Sequence, residues 1–135
     1  MIKVFIDQGH NPTNPNAGAE GSGLREQDLV YEIGIRLGQL LNSDPEFEAR
    51  LSRNSPSEIL GETTAQSLRA RTDAANSWGA DIFISLHANA STISSASGNE
   101  GLVYKIPSAA YTLSEDILTE LSLATGLQNR GTNAR

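Results

Sequence analysis

Apolar positions along this chain follow two alternating rhythms. Residues 2–6, Ile-Lys-Val-Phe-Ile, are a short run of β-branched and aromatic side chains that stops at Asp7-Gln8-Gly9-His10, which predicts a strand ending in a tight turn. From Glu26 onward Leu29, Val30, Ile33, Leu37, Leu40 and Leu41 recur at helical spacing, and Pro45 closes the pattern. That predicts a helix from about Arg25 to Leu41 with this stripe turned to the core. Residues 47–53 alternate loosely as a second strand. Residues 64–80, with Leu68, Arg69, Arg71, Thr72 and Ala75, read as a helix closed by Gly79. The run Asp-Ile-Phe-Ile-Ser-Leu-His at 81–87 has the continuous apolar character of a strand covered on both faces. Residues 101–106 predict a fourth strand, and residues 108–126 a third helix, from a Ser cap to Gly126. Alternation of this kind predicts an α/β layer fold with a mostly parallel central sheet flanked by helices. No internal repeat is visible; the small polar stretch at 90–99 reads as a mobile loop.

Composition narrows the field. A chain of 135 residues fits one domain on a prior of ~100–200 residues per domain, and 38% hydrophobic residues suffice for one packed core. A formal net charge of −6 argues against a nonspecific grip on nucleic acid or anionic lipid. With no cysteine there is no disulfide, thiolate nucleophile or Cys-based zinc site, so any transition metal must be held by His, Asp or Glu. The chain enters its first apolar run directly after Met1, with no signal-peptide pattern and no apolar window long enough to span a bilayer.

Against that background the two histidines stand out. His10 follows the first predicted strand and His87 closes the strand at 81–87, so both fall at carboxyl ends of strands, the edge where open α/β sheets put their ligands. Glu26 lies on the predicted core-facing stripe, where an unpaired carboxylate is costly, so a cation is expected to meet it. Two imidazoles and one carboxylate converging there form the His2Glu set of a catalytic zinc with its fourth position open. Each residue also has an ordinary reading: a polar turn residue for His10, a helix-dipole partner for Glu26, a backbone-satisfied core histidine for His87.

The motifs then add up to a family. The segments Ile-Asp-Gln-Gly-His at 6–10, Gly18 to Glu26, residues 50–53, 68–76 and 79–91, taken in order and at this spacing, resemble the zinc-dependent N-acetylmuramoyl-L-alanine amidases of the type 3 fold. The resemblance implies that His10, Glu26 and His87 are the protein ligands of one Zn2+. It also implies hydrolysis of the amide between N-acetylmuramic acid and the L-alanine of the stem peptide in bacterial peptidoglycan. An amide is a poor electrophile, and zinc helps by polarising its carbonyl and lowering the pKa of the attacking water. In the family the segment corresponding to 129–131 is followed by two strands and a helix, and a glutamate there is the general base. The expectation is therefore one amidase catalytic domain over 1–135, incomplete at its C-terminus, with the base beyond Arg135. Glu20 and Glu100 do not match the base position.

A branched glycan substrate calls for an open groove, and the loops 11–23 and 90–99 are candidate walls; the ordinary alternative is that both are merely solvated. Arg53, Arg69 and Arg71 could pair with stem-peptide carboxylates, though surface or interhelix salt bridges are the commoner use of arginine. A zinc peptidase would carry the short His-Glu-x-x-His spacing and a serine hydrolase the Gly-x-Ser-x-Gly elbow, and neither is present. A non-catalytic, zinc-holding wall-binding module is the competing reading. The resemblance places the protein outside the cell or at the wall, with peptidoglycan as partner and no role for nucleic acid or membrane.

Overall fold

The computed structural model describes residues 1–88 and 96–135, and the chain divides into two compact units, Met1–Ala90 and Ser91–Arg135. In the first unit the elements run β1 (Ile2–Gln8), β2 (Glu20–Gly21), β3 (Leu24–Arg25), α1 (Glu26–Asn42), β4 (Phe47–Leu51), α2 (Thr64–Trp78) and β5 (Ile82–Leu86). Strands β4, β1 and β5 form a parallel sheet in that order, with Val4 opposite both Ala49 and Ile82. Parallel neighbours need long crossovers, and α1 and α2 supply them.

The two helices cover opposite faces of β1, because successive strand residues point to opposite sides. On one face Ile6 and Gln8 meet α1 near Gly38 and Gly34. On the other Asp7 meets Arg71 of α2, and Phe5 stacks on Phe83 with ring centroids 5.8 Å apart. The core is therefore centred on β1, where Val4, Phe5 and Ile6 are all buried.

Local signals explain the helix ends. Thr63 caps α2 by accepting from the Gln66 N–H at 3.1 Å, and Gly79 ends it in the left-handed conformation. The start of α1 lacks a side-chain cap; there the Glu26 N–H donates to the Ala19 carbonyl at 2.9 Å, and Glu26 and Asp28 place negative charge in the first turn.

Two expectations about burial need correction. The core face of α1 is Glu26, Gln27, Val30, Gly34 and Gly38, whereas Ile33 is 54% exposed and Leu29 and Leu40 are exposed too. The reason is steric: a Cβ on Gly34 would lie 2.5 Å from Cγ of Gln8, so the helix sits too close to β1 for large side chains on that face. Strand β5 is not covered on both faces, since it alternates half-buried and exposed positions with Phe83 42% exposed; β1, by contrast, is buried from Val4 through Gln8. On α2 the buried residues are Ser67, Arg71 and Ala75, while Leu68 is exposed.

The second unit holds β6 (Asn99–Val103), α3 (Ala109–Thr125) and β7 (Asn129–Ala134). The two strands pair in parallel with a register shift between Asn99 and Gly101. Ser108 caps α3 through the Tyr111 N–H at 3.0 Å, Gly126 closes it, and Leu118 is its buried residue. The predicted fourth strand is offset: β6 begins at Asn99 and ends at Val103, leaving Tyr104 90% exposed. Strand β7 was not anticipated, because Asn-Arg-Gly-Thr-Asn-Ala carries no apolar alternation. Most of the loop expected at 90–99 lies outside the described residues.

Candidate metal centre

Three elements of the first unit deliver one side chain each to a single point. His10 stands two residues beyond β1, Glu26 opens α1, and His87 directly follows β5. Nε2 of His10 lies 3.3 Å from Oε1 of Glu26, and Nδ1 of His87 lies 3.2 Å from the same oxygen. One potential ligand atom from each residue falls within 4.8 Å of the others. The imidazoles meet edge to face with centroids 4.9 Å apart. Exposure is graded: Glu26 is 8%, His10 21% and His87 42% exposed, so the cluster opens on the His87 side.

The donor set fits a zinc ion. Nitrogen and oxygen ligands about 2.0–2.1 Å from a tetrahedral centre lie about 3.3–3.4 Å from one another, close to the two distances observed here. These residues can therefore hold a metal ion.

Glu26 is prepared as an anion. Burial alone would raise its pKa, but the Ala88 N–H, the charge of His10, the Ala19 N–H and the charge of His87 together outweigh it, and the carboxyl sits below the ordinary glutamate value. The Ala88 N–H donates to Oε1 at 2.8 Å and the Ala19 N–H to Oε2 at 3.4 Å, so both oxygens are oriented from the backbone.

Two glycines make room for the imidazoles. A Cβ on Gly9 would come within 2.5 Å of Cε1 of His87 and 2.6 Å of the Leu86 carbonyl oxygen. A Cβ on Gly18 would come within 3.0 Å of Cδ2 of His10 and 3.1 Å of Cβ of Glu26. Sequence reasoning did not single out either glycine; their places beside His10 and in the Gly-rich approach to Glu26 are the signals that were there to use.

Around the cluster lies a shell of buried polar groups. Asn11, fully buried, donates to the carbonyls of Pro15 at 2.7 Å and Leu60 at 3.0 Å and accepts from the Leu60 N–H, and Asn16 donates to Ser67. Residues 11–17 are thus tied down. Arg53 and Arg71 are closed to solvent at 0% and 2% exposure, so neither has surface to offer a substrate carboxylate, and neither makes the surface salt bridge usual for arginine. Arg53 donates to the Gln27 carbonyl at 2.7 Å and lies over the Tyr31 ring; burial, and then the neighbouring Arg71, lower its pKa. Arg71 pairs with Asp7 at 2.8 Å. Arg69 is exposed. Glu20 is exposed on the β2–β3 hairpin and sits 3.5 Å from Arg25.

Comparison with known proteins supplies the relatives. The family described as N-acetylmuramoyl-L-alanine amidase matches residues 4–135. The sporulation-specific N-acetylmuramoyl-L-alanine amidase of Bacillus subtilis is 35% identical over 133 residues, 97% of this chain and 48% of that protein. The amidase CwlM of Bacillus licheniformis is 38% identical over 121 residues, 89% of this chain and 43% of that protein. Among solved structures, the catalytic domain of the amidase CwlV from Paenibacillus polymyxa superposes with a TM-score of 0.82 at 28% identity, covering all of this chain and 70% of that one. The chain thus spans less than half the length of the two curated relatives.

Proposed function

Because the chain belongs to the N-acetylmuramoyl-L-alanine amidase family, we propose that it works in a zinc-dependent peptidoglycan hydrolase, with His10, Glu26 and His87 as the ligands of one Zn2+. The observation that carries the reading is the approach of both imidazoles to one oxygen of a nearly buried glutamate. The bond cut is the amide between N-acetylmuramic acid and the L-alanine of the stem peptide. Residues 1–135 belong to one amidase catalytic domain in this reading, which acts outside the cell or at the wall; no helix among the described residues is long and apolar enough to cross a membrane.

The chain's own residues do the holding and orienting. The Glu26 carboxylate contributes one negative charge to a site that must accept two positive ones, and its backbone donors keep that charge aimed at the imidazoles. His87, the most exposed of the three, leaves the approach from solvent open to a bulky glycan. When bound, zinc polarises the amide carbonyl and lowers the pKa of the attacking water. Residues 11–17, pinned by Asn11 and Asn16, make a firm wall beside His10.

The test is digestion of purified peptidoglycan, with zinc supplied, by a protein that carries residues 1–135 together with the family's general-base glutamate, followed by labelling of new amino groups. New N-terminal L-alanine, lost in His87→Ala, is the expected result. Retention on the wall without release of amino termini would contradict the hydrolase and favour a wall-binding module.

A further inference from the structure

Resting on the zinc reading, we propose that Arg71 is a positioning residue for His10: its guanidinium grips the His10 carbonyl and the Asn11 side chain and thereby aims the His10 imidazole at Glu26 and His87. A histidine that binds metal usually donates its other ring N–H to a carboxylate or carbonyl, which fixes the ring. Nδ1 of His10 is buried and has no hydrogen-bond partner among the described residues. The ring must therefore be oriented through its backbone, and that backbone is unusual. His10 has φ 68°, the left-handed region that residues with a Cβ seldom adopt.

Arg71 accounts for how this conformation is held. Its Nη2 donates to the His10 carbonyl at 2.6 Å and to Oδ1 of Asn11 at 3.1 Å. Its Nη1 donates to Oδ1 of Asp7 at 2.8 Å and to the Gln8 carbonyl at 2.6 Å. Asp7 in turn accepts from Ser85 at 2.7 Å through its other oxygen, and Ser85 is two residues before His87 on β5. One planar group thus links α2 to the end of β1, to the His10 turn and, through Asp7, to the strand that carries His87. An ion pair with Asp7 needs only Nη1; the two bonds of Nη2 go to the His10–Asn11 turn alone. The rigid fork of guanidinium donors is required for this, and a lysine ammonium, a single point, cannot reach both sides.

The experiment compares the unaltered protein with Arg71→Lys and Asn11→Ala, measuring Zn2+ affinity by competition with a chromophoric chelator and the visible spectrum of the Co2+ form. Both are read at a temperature where circular dichroism shows each protein folded. The expected result is zinc binding about 10- to 100-fold weaker in Arg71→Lys, with altered Co2+ bands. Asn11→Ala, which keeps the Asp7 ion pair, is expected to lose affinity several-fold. A folded Arg71→Lys protein with a lower Tm but unchanged affinity and spectrum would overturn the proposal, since a merely structural arginine predicts that. If the lysine variant does not fold, unchanged affinity in Asn11→Ala overturns it. Absence of zinc binding in the unaltered protein would instead sink the zinc reading, and this inference with it.

Discussion

Glu26 has two imidazoles and two backbone N–H groups around its carboxylate, and in the proposed site its charge is what favours a metal ion there. Glu26→Gln keeps the shape and removes the charge, so stoichiometric zinc binding is expected to disappear, as read by equilibrium dialysis. Gly9 offers a separate test, because its missing Cβ is the space occupied by Cε1 of His87 and the Leu86 carbonyl. A carbonyl in a paired strand cannot step aside, so Gly9→Ala should destabilise by about 1–3 kcal/mol in urea denaturation. At this scale the convergence of His10, Glu26 and His87 was legible in the sequence, because each sits at a position where its chemistry is out of place: a His ending an apolar strand, a Glu on an apolar stripe. Asn11 and Arg71 were not, since their roles depend on atoms far apart in the chain, such as Arg71 and the His10 carbonyl.

Helix α1 shows where periodicity misleads. The spacing of Val30, Ile33 and Leu37 gave the right helix, yet the face against β1 is Val30, Gly34 and Gly38. A hydrophobicity pattern records where apolar residues are, not how close two backbones approach. The two glycines separate these effects. A Cβ at Gly38 would make ordinary contact with Leu51 at 3.4 Å, so Gly38→Ala should gain about 0.5–1 kcal/mol from helix propensity. Gly34→Ala meets Gln8 at 2.5 Å and should lose stability despite the same gain. Opposite shifts in Tm for the pair would support this packing. At the sheet edge, the Asn42 side chain accepts from the Ala49 N–H at 2.7 Å and donates to its carbonyl at 3.3 Å. It occupies backbone groups that β4 would otherwise offer to another strand. Asn42→Ala should therefore raise the rate of aggregation in light scattering, with little change in zinc binding.

For the molecule as a whole, strand and helix alternation was enough to identify an α/β fold with parallel pairing, while β7 escaped because pairing, not side-chain pattern, makes it a strand. In the proposed zinc site metal and fold are coupled through the first unit, because the three side chains come from the ends of β1 and β5 and the start of α1. Zinc at 100 times its dissociation constant should add about 2.7 kcal/mol to stability. A Tm raised by zinc and returned by chelator checks this.

The central claim is that His10, Glu26 and His87 form one zinc site. Elemental analysis of the purified protein beside His10→Ala, Glu26→Ala and His87→Ala measures it most directly. About one zinc per chain in the unaltered protein and almost none in each variant is the expected result. Variants that keep the full zinc content, or an unaltered protein that takes up none, would contradict it.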